Sequence, residues 1–201
     1  MNTVAVAAEI LILAAFTVYI IRHGEIKRPV KRADIDMCIE KLIAFKHAPL
    51  KTYIPDGVLL QRLTEDSYDV ETLNLLCRDI LSHCGMHDHN VCVDVVPQED
   101  RHVAGLYSYR PDISIIRIIR KPYEMYQETL ATLVHESMHH LLISNRIIFE
   151  NRFINEALTD TATVFMGFDE VMQAGYAMQG YLTTKDLRYV RKRLKDLQDR
   201  V

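Results

Sequence analysis

The chain has 201 residues, 49% hydrophobic and 25% charged, a composition that belongs to a folded protein and excludes a disordered or low-complexity one. A formal charge of −3 gives no reason to expect a nucleic-acid partner. The four cysteines, Cys38, Cys77, Cys84 and Cys92, show no framework spacing and read as reduced, mostly buried thiols.

Residues 1–32 stand apart from the rest. From Val4 to Ile21 the chain is apolar except for Glu9, Thr17 and Tyr19, about long enough to cross a hydrocarbon core as a helix. No positive side chain precedes this run, which argues against a cleaved signal peptide, whereas Arg22, Lys27, Arg28, Lys31 and Arg32 follow it. The expectation is a single-pass N-terminal transmembrane helix with a basic flank over 1–32, leaving the body at 33–201 in the cytoplasm. Glu9 keeps a buried or interfacial helix open as the other reading.

Further along, Ile35, Ile39, Leu42 and Ile43 recur at helical spacing over 33–47, and Pro49 ends the pattern. The stretch containing Pro49, Pro55 and Gly57 reads as a loop. Asp69 is placed to cap a helix over 70–84, with Leu73, Leu76, Cys77, Ile80 and Leu81 on one face and Gly85 as its stop. Residues 91–96, 105–109 and 113–119 read as strands, the last two joined by a turn at Arg110, Pro111 and Asp112. After Pro122 the pattern is helical, with helices expected over 123–143, 151–172 and 184–198. No repeat or linker divides 33–201, so the expected fold class is α+β, a small β-sheet followed by a helical half.

The strongest local signal is His135-Glu136-Ser137-Met138-His139, inside a predicted helix. Positions i and i+4 share a helix face, so both imidazoles can reach one ion, and Glu136 can lean over its open position as general base. A third ligand is needed. Gly at 142 with His at 145 would complete one known arrangement, but Leu142 and Asn145 stand there. The sequence Asn155-Glu156-Ala157-Leu158-Thr159-Asp160 offers another: Glu156 as ligand, with Asp160 on the same face to hold a ligand histidine by its far nitrogen. Ser144, Asn145 and Arg146 supply the turn that returns one helix to the other.

This pair of motifs resembles the gluzincin metallopeptidases, of which thermolysin is the best-known member. The small size resembles minimal members, including the ImmA/IrrE-like group. The resemblance implies a zincin-like metallopeptidase domain over 33–201, with His135, His139 and Glu156 binding Zn2+, Glu136 as catalytic base and Asp160 as partner of a ligand histidine. It implies hydrolysis of a peptide or protein substrate by metal-activated water. No counterpart of that family's substrate-binding strand motif stands out in the sequence. A zinc-binding regulator or scaffold that binds a partner without cleaving it is the alternative; the intact Glu136 argues against it.

An oxyanion donor could come from His102, Tyr109, Tyr176 or Tyr181, and spacing does not choose among them. His140 lies about 100° round the helix from His139 and reads as a packed or exposed residue rather than a ligand. Leu130, Leu133, Val134, Leu141 and Leu142 read as core. His83, Cys84, His87, His89 and Cys92 are metal-type residues, read here as a helix stop, a turn and a strand rather than a second zinc site. The basic run from Lys185 to Arg200 reads as a solvated helix face, with contact to anionic lipid beneath an anchored domain as the alternative.

Overall fold

The structure is a computed structural model and describes residues 30–87, 90–98, 103–110, 112–122, 125–175 and 181–198. The apolar run 4–21 lies outside the described residues. Among those described, no helix is long and apolar enough to cross a membrane.

Three helices come first. In α1 (Arg32–Lys46), Ile35, Ile39 and Leu42 turn inward as the periodicity predicts, Cys38 joins them, and Ile43 is only half-buried. The expected loop holds as far as Asp56; from Gly57 a second helix follows, α2 (Gly57–Glu65), which the sequence did not announce. Asp56, between Pro55 and Gly57, accepts the Val58 and Leu59 N–H groups at 2.9 and 3.0 Å, so residues that read as loop chemistry are a helix start. α3 (Val70–His83) begins where Asp69 accepts the Thr72 N–H at 3.1 Å and is stopped by Gly85 at φ +81°.

The strands β1 (Val91–Pro97), β2 (Gly105–Ser108) and β3 (Ser114–Arg120) form one mixed sheet in the order β1-β3-β2. β1 runs parallel to β3, and β2 antiparallel to it. Val91, Val93, Ile116 and Ile118 supply its buried face. Cys92, expected in the core, is only half-buried because strand residues alternate between faces.

α4 (Tyr126–Ser144) packs against β2 and β3 and against α3, and Leu130, Leu133, Val134, Leu141 and Leu142 are all buried, as expected. Arg146 ends it in the left-handed region, at φ +58°. There the Arg146 N–H donates to the Ile143 carbonyl at 3.0 Å and the Ile147 N–H to the Leu142 carbonyl at 2.8 Å, a closure that usually employs glycine. The connection is pinned by Asn155, which accepts the Phe149 N–H at 2.6 Å and donates to the Phe149 carbonyl at 2.8 Å. α5 (Arg152–Phe165) then returns along α4, its first turn capped by Asn151.

The single helix expected over 151–172 is two helices. α5 stops at Gly167, φ +87°, with the Phe168 N–H on the Thr163 carbonyl at 2.9 Å and the Gly167 N–H on the Val164 carbonyl at 3.1 Å. Phe168 is fully buried just beyond the turn, and α6 (Asp169–Gly175) follows and packs on α4. The apolar periodicity runs through both helices, so it does not show where the axis changes. α7 (Thr184–Gln198) has the expected bounds and lays Leu187, Val190 and Leu194 against α1 and α5. The architecture is α+β: a three-stranded mixed sheet followed by helices, with α1–α3 also preceding it.

Candidate metal centre

α4 and α5 bring together the residues that the two motifs singled out. One ligand atom from each of His135, His139 and Glu156 lies within 4.8 Å of the other two. Glu156 Oε2 is 3.5 Å from His135 Nε2 and 3.3 Å from His139 Nε2. The imidazoles meet edge to face, centroids 4.9 Å apart at 81°, so their Nε2 atoms converge without stacking. Two neutral imidazoles and a carboxylate form a donor set suited to a borderline divalent ion such as zinc.

The far nitrogens are committed, which orients the near ones. His135 Nδ1 lies 2.9 Å from Asp160 Oδ1. His139 Nδ1 lies 3.2 Å from the Thr159 hydroxyl, whose only hydrogen goes to the Asn155 carbonyl at 2.9 Å. Towards His139 that hydroxyl can only accept. Both rings therefore carry hydrogen on Nδ1 and turn Nε2 towards the shared centre.

Charge at this centre is strongly coupled. Burial opposes a charge on His135, yet hydrogen bonds to Asp160 and Glu156 outweigh it and hold the imidazole well above the usual histidine range. Glu156 is the mirror case: burial would raise its carboxyl, but the two histidines outweigh burial and hold it well below the usual range. Asp160 is fully buried, and its second oxygen accepts the Tyr181 and Leu182 N–H groups at 2.8 and 2.9 Å. One carboxylate thus fixes a histidine and the entry to α7.

Glu136 sits beside the triad beneath β2, 6% exposed. Burial raises its carboxyl above the usual range, while His135 and His139 draw it back and the Tyr107 backbone N–H bonds to it. The strand comes this close because position 105 is glycine. A methyl group there would lie 2.8 Å from Glu136 Cγ and Oε1 and from Thr132 Cγ2. Tyr107 ties the same strand to α4 twice more. Its hydroxyl lies 2.9 Å from Ser114 Oγ and 3.0 Å from His140 Nδ1, and its ring lies parallel to that of His139 at 6.4 Å. His140 is buried in this contact, turned away from the triad as its position on the helix predicts.

Of the four oxyanion candidates, His102 and Tyr176 lie outside the described residues. Tyr109 is 59% exposed beyond the end of β2. Tyr181 meets the site through its backbone, its ring against Phe153 at 6.4 Å. Three contributors escaped sequence reasoning. Thr159 had a signal, since i+3 from Glu156 shares its face as i+4 does; Gly105 and Tyr107 had none, being brought in only by the sheet. Of the other metal-type residues, His83 Nε2 lies 3.0 Å from the Met166 carbonyl, Cys84 is a free buried thiol, and His89 lies outside the described residues. Among the described residues, His135, His139 and Glu156 are the one such group that converges.

No protein-family model matches the chain, no curated protein matches it in sequence, and no solved structure matches it in fold. What stands is the site itself: a His-His-Glu group that could hold a metal ion, on helices that follow a small sheet.

Proposed function

We propose that the protein is a zinc-dependent peptidase of minimal gluzincin type, in which His135, His139 and Glu156 hold the metal. The observation that carries this reading is Glu136, a buried carboxylate beside three convergent ligands and under the edge of a sheet. A structural metal site has no use for such a group. Bound here, zinc would supply Lewis acidity towards a carbonyl oxygen and towards water. The chain's own residues do the rest. Glu136 takes a proton as water adds to the scissile carbonyl carbon, then delivers it to the amine nitrogen as the C–N bond breaks. Its burial favours the protonated form and so suits the second transfer. Asp160 and Thr159 keep the two imidazoles in the required tautomer.

Two features support a peptide as substrate. Among the described residues β2 pairs with β3 alone, so its other edge can take an extended chain as an added strand. A cavity of about 50 Å³ opens next to His139, lined by Leu142, Ile147, Ile148 and Leu158 among others. It reaches His139 from the side of Asn155 and Thr159, and has room for a small group only. In this reading the apolar run 4–21 tethers the catalytic part to a membrane, with 33–201 on the cytoplasmic side.

The test is metal content and peptide-library turnover, wild type against Glu136→Gln. The variant should keep its metal and lose about 10²–10⁴-fold in turnover. Turnover unchanged in that variant would rule out Glu136 as the base.

A further inference from the structure

The charge of this chain is unevenly distributed. α7 carries six cations, Lys185, Arg188, Arg191, Lys192, Arg193 and Lys195, against Asp186 and Asp196. Residues 22–32 carry five cations against Glu25. These two stretches together come to +8, so in a chain of −3 the remainder carries −11. They are distant in sequence, yet the described end of the first stretch meets α7. The Arg32 guanidinium lies over the Tyr189 ring at 5.2 Å, and Tyr189 and Arg193 both reach Asp36 of α1, at 3.0 and 3.1 Å.

The cations of α7 divide by partner. Arg193 pairs with Asp36 and Arg191 with Asp169, so both serve packing within the molecule. Lys185, Arg188, Lys192 and Lys195 recur at steps of three, four and three residues, opposite the buried Leu187, Val190 and Leu194, and all four are exposed. Of the two carboxylates in α7, Asp196 falls on the side of that row and Asp186 does not. Lys31 and Arg32 are exposed at the adjoining start of α1. A plain solvated face mixes both signs and has no reason to gather beside the other basic stretch of an otherwise acidic chain.

We propose that the outer face of α7, with Lys31 and Arg32, is a docking surface for the anionic headgroups of a lipid membrane. The inference rests on the tether reading of residues 4–21: that apolar run precedes α1 in the sequence, and the start of α1 lies beside α7. A tether alone leaves the body free to swing; the cationic row lays it against the surface. Near an anionic leaflet each such cation contributes roughly fivefold to the surface-bound population, and the contribution disappears when salt shortens the Debye length.

The experiment uses the full chain reconstituted with vesicles of phosphatidylcholine alone or with about one third phosphatidylserine. Acetylation of Lys185, Lys192 and Lys195 is followed by mass spectrometry. Expected is a slowing of at least about threefold in the phosphatidylserine vesicles only, reversed in high salt and weakened by Arg188→Gln/Lys192→Gln as read at Lys185 and Lys195. Equal rates in the two vesicles would overturn the proposal. So would equal or stronger protection by duplex DNA without lipid, which would make the face a general polyanion surface. Flotation in high salt tests the tether separately: chain that floats with phosphatidylcholine alone is anchored whatever its lysines do.

Discussion

Thr159 shows how much of the centre depends on single hydrogen bonds. Among the described residues its hydroxyl is the one acceptor on His139 Nδ1, and replacing it with valine keeps the volume while removing that acceptor. Thr159→Val should weaken metal binding by about 10–100-fold with little loss of fold, measured by chelator competition and thermal unfolding. Gly105 governs the base in the same way. A methyl group there collides with Glu136, and displacing a catalytic group by about 1 Å costs on the order of a hundredfold in rate. Gly105→Ala should therefore lower turnover about a hundredfold and leave the metal dissociation constant unchanged. A parallel loss of metal would mean that β2 supports the ligands rather than the base.

Helix ends decide how the two ligand-bearing helices meet. Arg146 holds the left-handed position that closes α4, a conformation costing a side-chain-bearing residue about 1–2 kcal/mol, partly offset by the lower unfolded-state entropy of a non-glycine residue. Arg146→Gly should stabilise the protein by about 0.5–1 kcal/mol in denaturant titration. Gly167 behaves oppositely. At φ +87° a methyl group would also run into the Lys51 carbonyl, so Gly167→Ala should destabilise by more than about 2 kcal/mol. These ends were partly legible. Gly85 reads as a stop because it follows the last apolar residue of a helical stripe. Gly167 does not, because Val164, Phe165, Phe168, Val171 and Met172 continue an apolar pattern across it.

At the scale of the whole molecule, metal, protons and stability are linked. Without metal, His135 is held charged between two carboxylates. Its raised value means that this contribution to stability is complete below the usual histidine value near 6.5 and is lost as pH rises through the raised value. Metal takes the place of that proton, so metal uptake should release protons, and the gain in Tm on loading should grow from pH 6 towards alkaline pH. Isothermal titration in buffers of different ionisation enthalpy reads the first, and thermal scans with and without chelator read the second. At a thousandfold excess over the dissociation constant, loading should add about 4 kcal/mol.

The sequence by itself determined the elements whose causes are local. The 3.6-residue period set the buried faces of α1, α3, α4 and α7, the Asp69 cap set a helix start, and i, i+4 spacing placed His135 with His139 and Glu156 with Asp160 on shared faces. It could also propose that the two faces meet, since the turn between them is short. Tertiary structure alone decided that Glu156 Oε2 stands 3.5 Å or less from both Nε2 atoms, and that β2 covers Glu136 through Gly105 and Tyr107. It alone brought the cations of α7 beside the start of α1. The physical reason is range. Periodicity and capping are short-range constraints written within one element, whereas contacts between elements, such as Glu156 with His139 or Tyr107 with Glu136, depend on how those elements pack.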